Sequence, residues 1–256
     1  MSTPSTIGRD HEDSAAAARA VTHPLSQAQA GIWYAQRLDP DNPVFNTAQY
    51  VEIHGHLDVA TFTAAVDRAM TEAEALSIRV VDDEAGPRQV VDDSRRACLE
   101  VVSLDGQSLE AALSAIEADL TRPLDPRSDR LARQQLFVLG GEHFVWYQRV
   151  HHLVIDGYGT ALLTSRIRDL YAAAIDRTSD ATPPLAPYAA VLEADEAYQT
   201  SAKRDADRAF WLAAMADAPP APGLARKVGV TANSYRRAAV DRPPEVAADV
   251  GRLAEQ

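Results

Sequence analysis

The 256-residue sequence predicts an α/β fold of the layered α+β kind. Three observations predict it. Short segments with period-two apolar alternation, such as Asn46 to His54 and His143 to Val150, read as strands. Segments with apolar residues near helical spacing, such as Val59, Phe62, Val66 and Met70 within Asp58 to Ala75, read as amphipathic helices. The two kinds alternate along the chain without an internal repeat, which is the pattern of sheets covered by helices.

Taken in order, residues 1–20 (MSTPSTIGRDHEDSAAAARA) are polar and then Ala-rich, and predict a disordered leader. Ser26 is a candidate N-cap for a helix running to Leu38, with Ile32, Trp33, Ala35 and Leu38 on one side. Asp39 to Pro43 is a turn cluster, and Asn46 to His54 a strand. Asp58 caps the helix that follows, to Ala75. Leu76 to Val81 and Arg88 to Val91 pair as strands across the Glu84-Ala85-Gly86-Pro87 turn, and Leu99 to Leu104 is another strand. Leu109 to Leu120 is amphipathic, and Thr121 to Arg130 is a Pro-containing loop. Leu131 to Val138 and His143 to Val150 pair around Gly140-Gly141. Thr160 to Ile175 and Tyr188 to Met215 read as helices, joined by the Pro-rich connector Thr182 to Pro187. Ala218 to Gly223 reads as a boundary, followed by a strand over Ser234 to Val240 and a helix from Pro244 to Glu255. Trp33, Phe62, Trp146 and Trp211 are expected in the core.

Composition narrows the function classes. A 46% hydrophobic share supports a sizeable core, and a net charge of −12 argues against a general nucleic-acid binder. Local basic residues such as Arg37, Arg95 and Arg96 could still meet an acidic protein domain. Cys98 is the only cysteine, so no disulfide framework exists, and a reducing, cytoplasmic setting is expected. No stretch has the length and apolarity of a membrane span, so no membrane partner is expected.

The richest segment is His151-His152-Leu153-Val154-Ile155-Asp156-Gly157, an HHxxxDG pattern between a strand and a helix. Imidazole is suited to taking or sharing a proton near neutral pH. A carboxylate nearby can orient a ring or lock the local fold, and glycine lets backbone approach a substrate closely. The structural alternative for His151 and His152 is a pair of ordinary strand-end histidines. The His-x3-Asp spacing also allows metal ligands, but no further His or Cys cluster supports them, so no metal is expected. His54 and His56, flanking Gly55, are expected at the surface.

This pattern resembles the active-site signature of the chloramphenicol-acetyltransferase-like acyltransferases, and most closely the condensation domains of nonribosomal peptide synthetases. Further segments resemble that family's motifs in order. Ser26-Gln27-Ala28-Gln29 with Ile32-Trp33 resembles its opening SxAQ…W, Ala75 to Val80 its second motif (HEALRTRF), and Tyr188 through Phe210-Trp211 its fourth. The run WYQRVHHLVIDGYG is similar to siderophore synthetases of the enterobactin type. The chain departs from the pattern at Glu72 and Ser77, where the second motif usually has Arg, although Arg79 follows two residues on. It also departs at Gly159, where Ser is common. The resemblance covers about residues 22–256 and lacks the motifs of the family's second lobe.

It implies a chloramphenicol-acetyltransferase-like lobe over residues 21–217, then a linker and the beginning of a second, truncated lobe over 218–256, with an active-site tunnel between the lobes. It implies amide formation between a donor acyl thioester and an acceptor aminoacyl thioester, each on the 4'-phosphopantetheine of a carrier domain, with no intrinsic cofactor. Upstream and downstream peptidyl or aryl carrier domains are the implied partners, with an adenylation domain in the parent chain. In that frame His152 is the functional ring, as base or as the group that holds the amine. Gly157 offers a backbone amide to the oxyanion, and His151 belongs to the catalytic motif while supporting the loop. Asp156 holds the loop through a buried ion pair or hydrogen bond, with Arg79 or Arg149 as partner. Tyr158 and Gly159 line the tunnel, Gly159 alternatively relieving crowding at the helix start. Siderophore biosynthesis is the implied context. The alternatives are a carrier-docking fragment without chemistry and a coenzyme A-dependent acyltransferase.

Overall fold

The computed structural model describes residues 21–84, 86–219 and 243–254. The expected leader over residues 1–20 and the strand over Ser234 to Val240 lie outside the described residues. The chain divides into two compact units, Met1–Pro222 and Gly223–Gln256. Within the second unit the described element is one helix, Pro244–Ala254.

The first unit carries two sheets. The larger has four strands: β2 (Asn46–His54), β5 (Leu99–Ser103), β6 (Ala132–Gly140) and β7 (His143–His151), in the order β2-β7-β6-β5. The smaller has three: β1 (His23–Pro24), β3 (Ile78–Asp83) and β4 (Gly86–Val91), in the order β1-β4-β3. All pairings are antiparallel except β5 with β6. That parallel pair needs a crossover, and α3 (Leu109–Leu120) supplies it. The β6–β7 hairpin turns at Gly140 and Gly141, both at positive φ (99° and 59°), which an L side chain adopts only with strain. A Cβ at Gly140 would also run into the Asp105 carboxylate.

β7 is central, and eight of its nine residues are buried. Period two divides them between two cores. Phe144, Trp146 and Val150 face the larger core, shared with α1 (Gln27–Leu38), α2 (Val59–Glu72) and α4 (Gly157–Ile175) through Trp33, Phe62, Met70, Leu163 and Ile167. Val145 and Tyr147 face the smaller core, shared with Ala112 and Ile116 of α3. Phe62 meets Trp146 edge to face at 5.2 Å.

Caps explain where several helices begin. Ser26 forms a reciprocal capping box with Gln29, and Asp58 accepts from the Thr61 amide at 2.9 Å. Three expected boundaries move. α2 stops at Glu72 and a 3₁₀ turn covers Glu74–Ser77, because Leu76 and Ile78 must point into the core. The helix expected over Tyr188 to Met215 is two, α5 (Tyr188–Gln199) and α6 (Ala202–Ala214); Ser201 caps the second by accepting from the Arg204 amide. α4 begins at Gly157, three residues before the expected start. Trp211, expected in the core, is 62% exposed and lies edge to face with exposed Phe210.

Candidate active site

The loop after β7 is fastened by its backbone. The His151 amide donates to Leu131 O at 2.8 Å and the His152 amide to Phe45 O at 2.7 Å. Buried Leu153 and Val154 then anchor the chain in the larger core before α4 begins. The outcome differs for the two histidines. His152 is exposed, and it lines a cavity of about 530 Å³. His151 is 1% exposed and does not line that cavity. Its Nδ1 accepts from the Leu153 amide (3.1 Å), so its proton sits on Nε2, 3.4 Å from Gln36 Oε1. Burial, with the His152 and Arg149 charges nearby, pushes its pKa down to about 4. His151 is therefore a buried, neutral ring whose hydrogen bonds hold the loop.

The cavity's walls are mostly apolar: Ile32, Leu76, Val154, Ile155, Leu162, Leu185 and Val191 contribute. Its polar groups are Ser26, Gln29, Glu72, Glu74, His152, Asp156 and Tyr188. A concave apolar site with few polar groups is the usual form of a small-molecule pocket. Gly159 lines this cavity, whereas Tyr158 is 75% exposed and does not.

Of the two expected fastenings, Asp156 makes the hydrogen bond, and it has no ion pair among the described residues. It is the N-cap of α4, exposed, with Oδ1 accepting from the Gly159 amide at 2.7 Å and its carbonyl taking Thr160 N and Oγ1. Neither expected arginine reaches it. Arg79 pairs with Asp92 (3.1 Å) on the smaller sheet. Arg149 lies on the α3 face of β7, opposite the face that α4 covers, and pairs there with Asp119 (3.2 Å). Ser77, where the motif usually has Arg, is buried, and its hydroxyl has no partner among the described residues. With no cation delivered from the second motif, the Asp156 carboxylate serves the helix instead. A Cβ at Gly159 would sit 2.9 Å from Ile155 Cγ1 and 3.3 Å from Asp156 Oδ1, so glycine also relieves crowding at this cap. A Cβ at Gly157 would meet nothing within 4 Å, so packing within the chain does not require glycine there.

One group was missed in the sequence. Arg166, whose side chain is 2% exposed, binds Glu72 through two hydrogen bonds (2.7 and 2.8 Å), Asp180 through two (2.9 and 2.8 Å), and Thr182 O. Glu72 Oε2 also takes the Leu185 amide at 3.3 Å. This clamp ties α2, α4 and the connector into one cavity wall. The hydrogen bonds from Arg166 hold the Glu72 carboxyl below its usual range. The available signal was a charged residue inside the apolar stripe Leu163, Ile167, Leu170 of α4.

Residues 20–255 match the Condensation domain family. The chain is 38% identical over 233 residues to the dimodular nonribosomal peptide synthase of Bacillus subtilis, covering 90% of this chain and 10% of that protein. It is 34% identical to an isonitrile lipopeptide synthase of Streptomyces coeruleorubidus (85% of this chain, 15% of that one). Against enterobactin synthase component F of Shigella flexneri it is 32% identical (78% and 16%). Among solved structures, a mutant starter condensation domain of rhizomide synthetase in complex with C8-CoA superimposes with a TM-score of 0.78 at 33% identity, covering 86% of this chain and 51% of that one. The first condensation domain of the CDA synthetase gives 0.65 at 30% identity (78% and 51%).

The fold is thus that of the chloramphenicol-acetyltransferase-like acyltransferases. The chain belongs to the condensation-domain family of nonribosomal peptide synthetases, whose members form amides from substrates carried on phosphopantetheine. It spans 10–15% of the first two of these curated relatives and about half of the solved domains. No described helix is long and apolar enough to cross a membrane.

Proposed function

We propose that this chain supplies the His152-bearing lobe of a condensation site that joins an acyl thioester to the amine of an aminoacyl thioester. The observation that carries the proposal is the exposed His152 ring on an apolar cavity, presented by a loop that two backbone hydrogen bonds and the Asp156 cap hold in place. The amine nitrogen attacks the thioester carbonyl, the C–N bond forms and the C–S bond breaks. The proton lost from nitrogen ends on the departing thiol. A free α-amino group, with a pKa near 8, is mostly protonated at neutral pH. His152 accepts its proton or holds the neutral amine by accepting a hydrogen bond. The amide of Gly157, at the first position of α4 where no intrahelical acceptor exists, is offered to the oxyanion.

For the donor we favour an aliphatic acyl group. The mostly apolar walls support this, as does likeness to a starter domain that holds C8-CoA and to a lipopeptide synthase. An aryl donor in siderophore assembly is the second reading, supported by the likeness to enterobactin synthase component F. The partners in either reading are donor and acceptor carrier domains, with an adenylation domain in the parent chain and a cytoplasmic setting.

The test is reconstitution of the parent protein with an aminoacyl-loaded acceptor carrier and each donor in turn: octanoyl-carrier, aryl-carrier and octanoyl-coenzyme A. Mass spectrometry reads the amide. Product from octanoyl-carrier, lost in His152→Ala, is expected. Product from the aryl-carrier alone selects the siderophore reading, and product from the coenzyme A thioester alone a coenzyme A-dependent enzyme. Carrier binding without product from any donor would reduce the chain to a docking module.

A further inference from the structure

We propose that Glu52, His54 and His143 form a surface site for a divalent transition-metal ion of the zinc type, which clips β2 to β7 at the end remote from His152. The strand geometry assembles it. Glu52 and His54 are two apart on β2 and share a face, and His143 stands directly opposite His54 in the β2–β7 register. The two imidazoles stack at 4.4 Å with 19° between planes. Both Nε2 atoms are directed at the same oxygen, Glu52 Oε1, at 2.7 Å from His143 and 3.1 Å from His54. One ligand atom from each residue lies within 4.8 Å of the other two.

The chemistry of the donor set suits such an ion. Two imidazole nitrogens and one carboxylate match zinc's preference for nitrogen and oxygen donors, and the remaining positions go to water. One carboxylate and two imidazoles, which ligate a metal in their neutral form, make an anionic donor set, and the chain as a whole carries −12. In a tetrahedral centre with bonds of about 2.0–2.1 Å, donor atoms stand about 3.3 Å apart. The observed carboxylate–imidazole separations therefore need to open by about 0.6 and 0.2 Å, with the two stacked rings tilting to aim their Nε2 lone pairs at the ion and each ring's proton on Nδ1. The side chains of Glu52, His54 and His143 are 34%, 68% and 31% exposed, so an ion reaches them from solvent. The scaffold is already fixed: all three sit on strands, and the Gly55 amide donates to Glu142 O at 2.8 Å just beyond them.

The position decides what the ion does. β7 has nine residues, about 30 Å of strand, between His143 and the active-site loop. An ion at its start stabilises the pairing of β2 with β7 and takes no part in acyl transfer. The inference is thus independent of the proposed function.

The test uses the full chain, with Zn2+ in calorimetric titration and thermal unfolding, and Co2+ as a spectroscopic probe. The expected result is one strong site per chain, a melting temperature raised by about 2–5 °C at saturation, and Co2+ absorption bands in the visible. Glu52→Gln and His54→Ala should each weaken binding at least tenfold and abolish the thermal shift. His54→Ala is the informative variant if His143→Ala folds poorly, because its side chain is the more exposed. His152→Ala should leave the metal-induced shift unchanged. No saturable binding at about 100 µM Zn2+, or binding that survives Glu52→Gln and His54→Ala but is lost in His152→Ala, overturns the proposal.

Discussion

The α3 face of β7 and the loop beyond its end carry different kinds of polar group. On the α3 face, Tyr147, Arg149 and Arg133 converge on one carboxylate, Asp119, at 3.0, 3.2 and 2.8 Å. Burial pushes the Tyr147 hydroxyl up and the Arg149 guanidinium down. Arg133 and Arg149 are directly opposed across β6 and β7, a like-charge pair that would repel without Asp119 between them. Beyond the strand's end, His152 lines open cavity volume, and its ring makes no hydrogen bond or ion pair among the described residues. One carboxylate is saturated by three donors; one imidazole is left available. The difference separates scaffold from the proposed chemistry: polar groups consumed by each other hold the strand, and the group left unused at its tip is the one we propose acts on the amine.

Four variants or conditions sharpen that contrast, from the largest effect down. His152→Ala in the complete synthetase should lower amide formation by about 10²–10⁴-fold, the usual range for a positioned acid–base group, with an unchanged melting temperature. Turnover near the wild-type rate would place the chemistry elsewhere. Asp119→Ala should do the opposite, costing about 3–5 kcal/mol of stability by leaving buried Arg149 uncompensated. Urea unfolding reads it, and a cost below about 1 kcal/mol would show that Asp119 is not the counter-ion the α3 face depends on.

The third prediction concerns pH. His151 is neutral when folded, with a pKa of about 4 against 6.5 when unfolded. Below 6.5 the unfolded chain therefore binds more protons, so this contribution is complete above pH 6.5 and is lost progressively as pH falls toward 4. It amounts to at most about 3 kcal/mol. His151→Asn should flatten the pH dependence of urea unfolding between pH 6.5 and 5, where carboxylates contribute little. An unaltered slope would mean that the ring is solvated. Last, Asp156→Ala should cost about 1 kcal/mol through the lost cap, whereas Asp156→Asn, which caps as well as Asp, should be nearly neutral to stability. A large loss in the Asn variant would indicate an ion pair after all.

Much of this was legible in the sequence because it is local. Ser26 and Asp58 cap the helices expected of them, and the strand over Asn46–His54 and the helix over Leu109–Leu120 have the boundaries that periodicity set. His152 was marked by its motif. The rest is tertiary. Arg149 and Asp156 are seven residues apart but separated by the sheet, and only the strand's alternation shows it. The break before Ser201 contains neither Gly nor Pro, so composition gave no warning. Glu52 and His143 are 91 residues apart and meet only through the register of β2 and β7.

The embedding of β7 has a kinetic consequence. Hydrogen-bonded partners on both edges and eight buried residues of nine place this strand in the part of the chain that opens least often. Deuterium should enter its amides last, long after those of α6, whose apolar residues Phe210, Trp211 and Leu212 lie exposed. The imidazole at its tip is thus hung from the stiffest beam of the lobe, and in the function proposed for it this ring is the fixed reference point against which acyl and amine groups align.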